Sequence, residues 1–373
     1  MRGLGHADCS GGTMSLAELI APEQGERTHI AVFRALRLGD MLCATPALRA
    51  LRTAFPHADI ALVGLPSTRD LAWRLTSIDR FIEFPGYPGL ADPADLSALP
   101  DFLRSMQREQ FELVLQLHDS GRIGNPLIAS FGARHVAGFV EPDGYCAEPA
   151  LHAPWPTGGH EIERLLGLMD HLGIARSGST LEFPLQEDDR IELAALWPEA
   201  YSGRPYVVVH AGARLASRRW PVERFARVAE RLAWQGCALV LSGSAAEAGL
   251  VAQLQAAMRA PAVNLAGRTT LWTLGALIER AHLLLCNDDA GVSHIAAALG
   301  TRSIIVSCGA EVARWAPLDA QRHTVLWQPM PCRPCSFAQC PYDHGCATAI
   351  SADRVFVMTQ DLKLPVFTAE LAS

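Results

Sequence analysis

Residues 283–300, LLLCNDDAGVSHIAAALG, restrict the fold more than any other stretch of this chain. Leu283 to Cys286 is a continuous apolar run of strand length. Asn287, Asp288 and Asp289 follow, and a helix is expected to open at Ala290 and Gly291, with Ile295, Ala298 and Leu299 at apolar helical spacing. An all-apolar strand feeding a helix is the βα half of a parallel α/β sheet covered on both faces. Ligands of such sheets bind outside the carboxyl ends of the strands. A helix start there offers unpaired N–H groups and a positive dipole end to a phosphate. Gly291 lets a ligand approach the backbone closely, and His294 points back toward the same turn. This is the layout of a nucleotide-diphosphate site, and its place late in the chain argues against a simple N-terminal dinucleotide fold.

The same alternation runs along the rest of the chain. Strands are expected at 29–35, 59–63, 80–84, 112–117 and 135–139, with helices over 40–54, 67–75, 96–109 and 122–131. Residues 141–159 are rich in Pro and Gly and show no period. A helix over 160–172 and a polar stretch, 175–189, come next, and the interdomain linker is expected near 176–188. The rhythm then restarts with YVVVH at 206–210, a β-branched run suited to a buried parallel strand. A helix over 221–234 opens with Pro221 in its first turn. Strand 237–241, helix 245–258, a short strand at Val263, helix 271–281 and strand 303–306 complete the series. The expectation is an α/β chain with two Rossmann-like, doubly wound parallel-sheet domains facing a cleft. Residues 1–27 read as a disordered leader, with Met14 as an alternative start. Residues 28–180 form the first domain and 181–373 the second, with the last helix packing back on the first.

Composition narrows the function. The chain has 373 residues, 49% of them hydrophobic and 19% charged, which is enough for two cores. A net charge of −7 argues against a nucleic-acid binder. No apolar run approaches the roughly 18 residues of a bilayer span, and the N-terminus lacks the apolar core of a secretory signal. The ten cysteines therefore read as reduced and cytoplasmic.

Three further strand-end loops carry chemistry. In FRALRLGDMLCATPALRALR, Asp40 stands at a helix start, either as an N-cap or as a general base facing the cleft. Arg49 and Arg52 read as solvated helix-face residues, while Arg34 and Arg37 lie nearer the turn and suit an anionic acceptor. In HAGARLASRRWPVERF, Arg218 and Arg219 suit phosphates, or the stretch is an ordinary basic loop with a packed Trp220. In SGSAAE, Glu247 suits a ribose hydroxyl, or is a favourable first-turn acid. Asp119 and Arg122, at another strand end, read as acceptor contacts or as plain surface residues.

The order RLGDMLCATPALRALR, HAGA…RRWPVERFA, LSGSAAE, NDDAGVSHIAAALG and GAEVARWAPL, over about residues 30–355, resembles the ADP-heptose:lipopolysaccharide heptosyltransferases, glycosyltransferase family 9. The resemblance implies the GT-B fold, with the acceptor on the first domain and the sugar nucleotide on the second. It implies an inverting, metal-independent transfer of heptose from ADP-heptose to a lipid-linked inner-core acceptor, at the cytoplasmic face of the inner membrane. By resemblance Asp40 is the catalytic base, and Asp289, Gly291 and His294 contact phosphate and sugar. By the same resemblance Glu247 contacts the adenosine ribose. Arg218 falls where the family usually has Lys, a planar fork in place of a point charge. Ala290 stands where a hydroxyl is common, so one phosphate hydrogen bond is absent.

Cys332, Cys335, Cys340 and Cys346 form C-x2-C-x4-C-x5-C around His344. The spacing permits a tetrahedral structural metal, zinc or iron. A related branch that glycosylates autotransporters resembles this chain in using four cysteines to hold iron. The alternative is a packed or partly disulfide-bonded loop. Three other functions stand beside heptosyl transfer: a same-fold transferase with another nucleotide sugar or a protein acceptor, a sugar-nucleotide epimerase, and a non-catalytic scaffold. Asp40 with its nearby arginines favours transfer, since an epimerase needs no acceptor.

Overall fold

The computed structural model describes residues 15–21, 27–90, 94–288 and 291–360. They divide into two compact units. The first holds Met1–Ala35, Ala47–Trp155 and Leu165–Gly178, the second Leu36–Pro46, Pro156–Arg164 and Ser179–Ser373. The expected linker region contains the last of these boundaries. Two earlier segments, however, belong to the second unit, and one of them carries Asp40.

The first unit contains β1 (His29–Phe33), β2 (Asp59–Gly64), β3 (Arg80–Glu83), β4 (Leu113–Gln116), β5 (His135–Val140) and β6 (His152–Pro154). All pair in parallel, in the order β3-β2-β1-β4-β5-β6, with Ile30 between Ile60 and Leu113. The central strands are buried along nearly their whole length, which is why the sequence reads as unbroken apolar runs rather than alternation. Phe33, Phe84, Phe102 and Phe131 meet edge to face beneath the sheet, the first pair at 5.1 Å. β6 lies in the Pro- and Gly-rich stretch that shows no period, and three residues are too few to display one.

The second unit repeats the design with β7 (Tyr206–His210), β8 (Ala238–Leu241), β9 (Val263–Asn264), β10 (Leu283–Asn287), β11 (Ser303–Ser307) and β12 (His323–Trp327). Its order is β12-β11-β10-β7-β8-β9, again all parallel. β7 and β10 are neighbours here, as β1 and β4 are in the first sheet. The strand order reverses at these pairs, where doubly wound sheets bind ligands. β12 and the helix Glu187–Leu196 are additions to the expected elements. The helix opens in polar sequence because Asp189 reaches back to accept from the Gln186 N–H at 2.7 Å. Trp220, Phe225, Val228 and Leu285 are central to the second core. Ala352 and Val355, from the last described helix, Ala352–Gln360, are buried in this core rather than in the first. Among the described residues, no helix is long and apolar enough to cross a membrane.

Candidate functional site

Four loops of the second unit leave the carboxyl ends of β7, β8, β10 and β11. β10 runs one residue further than its apolar pattern, so Asn287 is strand and fully buried. Its side chain joins two of the loops. Nδ2 donates to the carbonyls of Ala211 at 2.7 Å and Gly212 at 3.3 Å, and Oδ1 accepts from the Trp220 N–H at 2.9 Å. The loop that carries Arg218 is therefore tied at both ends to the strand that leads into the phosphate-type turn.

Glu247 sits in the short turn Ala245–Glu247 after β8. Its carboxylate accepts from the N–H and the hydroxyl of Ser244, each at 2.8 Å. It also lies over the backbone of Gly212, where an added Cβ would stand 2.0 Å from Oε1. Burial works against its charge, yet the Ser244 N–H and neighbouring His210 hold the carboxyl below its ordinary value. A fixed carboxylate at the strand-order reversal can accept hydrogen bonds from a diol such as a ribose.

Arg218 ends the turn Ala216–Arg218. Its guanidinium donates to the Cys335 carbonyl from Nε at 3.2 Å and Nη2 at 2.6 Å. Arg219 donates from Nε to the Ala213 carbonyl at 2.9 Å. The cysteine-bearing loop thus orients the arginine expected to meet phosphate. Ser217 draws the two closer, donating from its hydroxyl to the Phe337 carbonyl at 2.5 Å and sharing a 2.7 Å contact between its carbonyl and His344 Nε2.

Asp289 and Ala290 lie outside the described residues. Gly291 precedes the helix Val292–Leu299, the start of which is the expected phosphate seat. Asp288 accepts from the Ser307 hydroxyl, and Arg333 donates to that same hydroxyl and to the Ser307 and Ala310 carbonyls. His294, on the helix, is 7% exposed. Burial, reinforced by nearby His160, pushes its imidazole down to about 4. At neutral pH it is uncharged.

That burial has a consequence for stability. An unfolded imidazole binds its proton near 6.5, whereas folded His294 resists it until about 4. The unfolded state therefore holds more protons between these values, and stability falls as pH drops from 6.5 toward 4. We expect His294 to contribute a loss of about 2 kcal/mol between pH 6.5 and 5. Denaturant melts at pH 7, 6 and 5 should show it, with a shallower slope for His294→Gln; equal slopes for the two proteins would contradict it.

Asp40 is not an N-cap. It lies in the first turn of the helix Leu38–Ala54, half-buried. In that helix Gly39 approaches His294 and Leu38 covers Gly291. Arg37 belongs to the same segment of the second unit and is exposed. The other expected acceptor residues lie in the first unit. Arg34 is 1% exposed and donates to the Leu117 carbonyl. Asp119 accepts from the N–H groups of Gly121 at 2.9 Å and Gly124 at 3.2 Å, and so fastens the loop before the helix Gly124–Ala129. Arg122 is exposed.

The described cysteines are all free thiols. Among the described residues, no three His, Cys, Asp or Glu side chains are arranged to hold a metal ion. The thiols turn to separate oxygens instead: Cys335 to Ser217 Oγ, Cys340 to the Tyr342 carbonyl and Cys346 to the Cys308 carbonyl. The loop is held to Arg218 through the Cys335 carbonyl and to Ser307 through the Arg333 guanidinium.

Asn287, Gly212, Gly39 and Arg333 were not singled out from the sequence. Asn287 had a signal, as the first polar residue after an apolar run. Gly39 and Gly212 stand within the quoted motifs, but their close approaches, to His294 and Glu247, are to partners distant in sequence.

Known proteins resemble this chain in sequence and in fold. The family model glycosyltransferase family 9 (heptosyltransferase) matches residues 101–345. Lipopolysaccharide heptosyltransferase 3 of Escherichia coli (strain K12) is 26% identical over 289 residues, 75% of this chain and 82% of that protein. The family 9 glycosyltransferase of Veillonella parvula superposes with a TM-score of 0.73 at 21% identity, covering 90% of this chain and 97% of the other. The ADP-heptose lipopolysaccharide heptosyltransferase II of E. coli does so at 0.69 and 20% identity, covering 90% and 98%. These likenesses show the GT-B fold, and the family match covers well over half of the chain. The chain is a glycosyltransferase and belongs to glycosyltransferase family 9.

Proposed function

We propose that the protein transfers heptose, with inversion, from ADP-heptose to a sugar of a lipid-linked lipopolysaccharide inner-core acceptor. Two of the proteins named above are lipopolysaccharide heptosyltransferases, and the name of one of them specifies ADP-heptose. The observation that carries the reading is the fixed Glu247 carboxylate over Gly212 at the reversal point of the second sheet, in one unit with the Asp40 turn. Glu247 takes the adenosine ribose. The start of the helix Val292–Leu299, with Gly291 and the preceding Asp289 and Ala290, takes the diphosphate together with Arg218. Asp40 accepts the proton of the acceptor hydroxyl as its oxygen attacks the anomeric carbon on the face opposite the nucleotide. The bond from anomeric carbon to phosphate oxygen breaks, and ADP leaves with the electron pair. Helix N–H groups and Arg218 offset the charge that develops there. Arg37 and Arg122 meet an anionic acceptor, and Arg34 and Asp119 shape the loops around it. The work is done at the cytoplasmic face of the inner membrane, where such an acceptor is presented.

Nucleotide specificity tests the donor. A ligand that binds only the folded state raises apparent stability by mass action. ADP and ADP-heptose should raise the melting temperature, and UDP and GDP should not. Stabilisation by UDP or GDP instead would move the donor to another class. Release of ADP that speeds up only when inner-core acceptor is added marks transfer; conversion of the nucleotide sugar without acceptor would overturn it in favour of epimerisation.

A further inference from the structure

The helix Leu38–Ala54 is shared between the units, and its first turns, through Pro46, pack as part of the second. Two glycines make that packing close. A Cβ on Gly39 would stand 2.8 Å from His294 Cδ2, and a Cβ on Gly291 would stand 3.0 Å from Leu38 Cδ2. Each helix thus presents a glycine to a side chain of the other. One turn further on, Cys43 Sγ is 3.7 Å from His294 Nδ1. Thr45 Oγ1 accepts from the Glu182 N–H at 3.0 Å, which anchors the same stretch again. On its other side His294 meets the ring of Trp315, at 6.4 Å between centroids.

Backbone conformation does not account for either glycine. Gly39 lies within a helix, where glycine costs about 1 kcal/mol relative to alanine. Gly291 has an ordinary φ of −53°. Close approach is the remaining reason for a residue without a Cβ. The contact also uses the imidazole of His294 as a packed surface, which agrees with its burial.

We propose that His294 is a positioning residue: by seating Gly39 it fixes the Asp40 carboxylate relative to the phosphate-binding start of the helix Val292–Leu299. The general base is then carried by the unit that binds the donor. The proposal rests on reading Asp40 as that base. A base held to a fraction of an ångström beside the donor is pre-organised, and a displacement of about 1 Å costs on the order of 100-fold in rate.

Gly39→Ala tests this, since it adds one methyl against His294. kcat should fall about 100-fold, while the KM for ADP-heptose and the Kd for ADP, by calorimetry, stay within about threefold. His294→Ala should also lower kcat without weakening ADP. The double variant should fall no further than the worse single one, because both break one contact. Leu38→Ala, which removes the side chain over Gly291 without a clash, should cost roughly tenfold in kcat and gives the answer if Gly39→Ala does not fold. A Gly39→Ala enzyme with parental kcat, additive losses in the double variant, or a large rise in ADP Kd for His294→Ala would overturn the seating role. Asp40→Ala in the same assay separates the two readings. Full activity there means that the base assignment has failed, whereas an inactive Asp40→Ala beside a fully active Gly39→Ala means that only the seating has.

Discussion

Asp40→Ala should lower kcat by about 10³-fold, the range expected for loss of a general base, with little change in ADP affinity. The separation follows from where Asp40 sits. It lies in the first turn of the helix Leu38–Ala54, whereas the expected nucleotide contacts come from the loops after β7, β8 and β10. The backbone of its turn is held by Leu38 on Gly291 and by Gly39 on His294, so truncating the carboxylate leaves that packing intact. Asp40→Asn keeps the shape and removes the basicity, and should be nearly as slow. The measurements are kcat with saturating donor and acceptor, and ADP binding by calorimetry. Full turnover in Asp40→Ala with the natural acceptor would remove the assignment. An enzyme slowed only through a raised donor KM would instead make Asp40 a donor contact.

The fold was legible in this sequence because its central strands are buried on both faces. Short apolar runs such as YVVVH and LLLC, bounded by turn residues, mark parallel strands, and YVVVH coincides with β7. The edges were less legible. β6 has three residues and β9 two, too short to carry a period. The helix Glu187–Leu196 is acidic at its start and looked like linker. The loops that make the candidate site were found from the order strand, small residue, helix. What that order could not supply was the side-chain wiring between loops. Arg34, in sequence an acceptor arginine, spends its guanidinium on the Leu117 carbonyl, a partner 83 positions away. Arg218 is oriented by Cys335, which in sequence belongs to a metal-type motif. Asp40 was assigned to the first domain by chain order, yet its turn packs with the second. Each of these depends on tertiary contact, which local pattern does not encode.

Asn287→Ala should be the most damaging single change in the nucleotide-binding unit outside the reacting groups. Asn287 is fully buried, and its amide bonds the loop after β7 at both of its ends. Removing it leaves the Trp220 N–H without the acceptor it has at 2.9 Å and the Ala211 carbonyl without the donor it has at 2.7 Å. Each buried group left unpaired costs roughly 1–3 kcal/mol, so a loss of about 3 kcal/mol is expected in denaturant melts. The effect extends to function because the freed loop carries Arg218 and includes Gly212, the floor beneath Glu247. ADP affinity should fall at least about tenfold, the equivalent of 1.4 kcal/mol, and should do so at temperatures where the variant is fully folded. Asn287→Asp keeps an acceptor for Trp220 but sets a carboxylate against two carbonyl oxygens, and should not rescue either property. A folded Asn287→Ala protein that binds ADP like the parent would show that the loops hold their positions without this amide. In that case the order of the donor site would have to come from the other fastenings of the loop, chiefly Cys335 on Arg218 and Phe337 on Ser217.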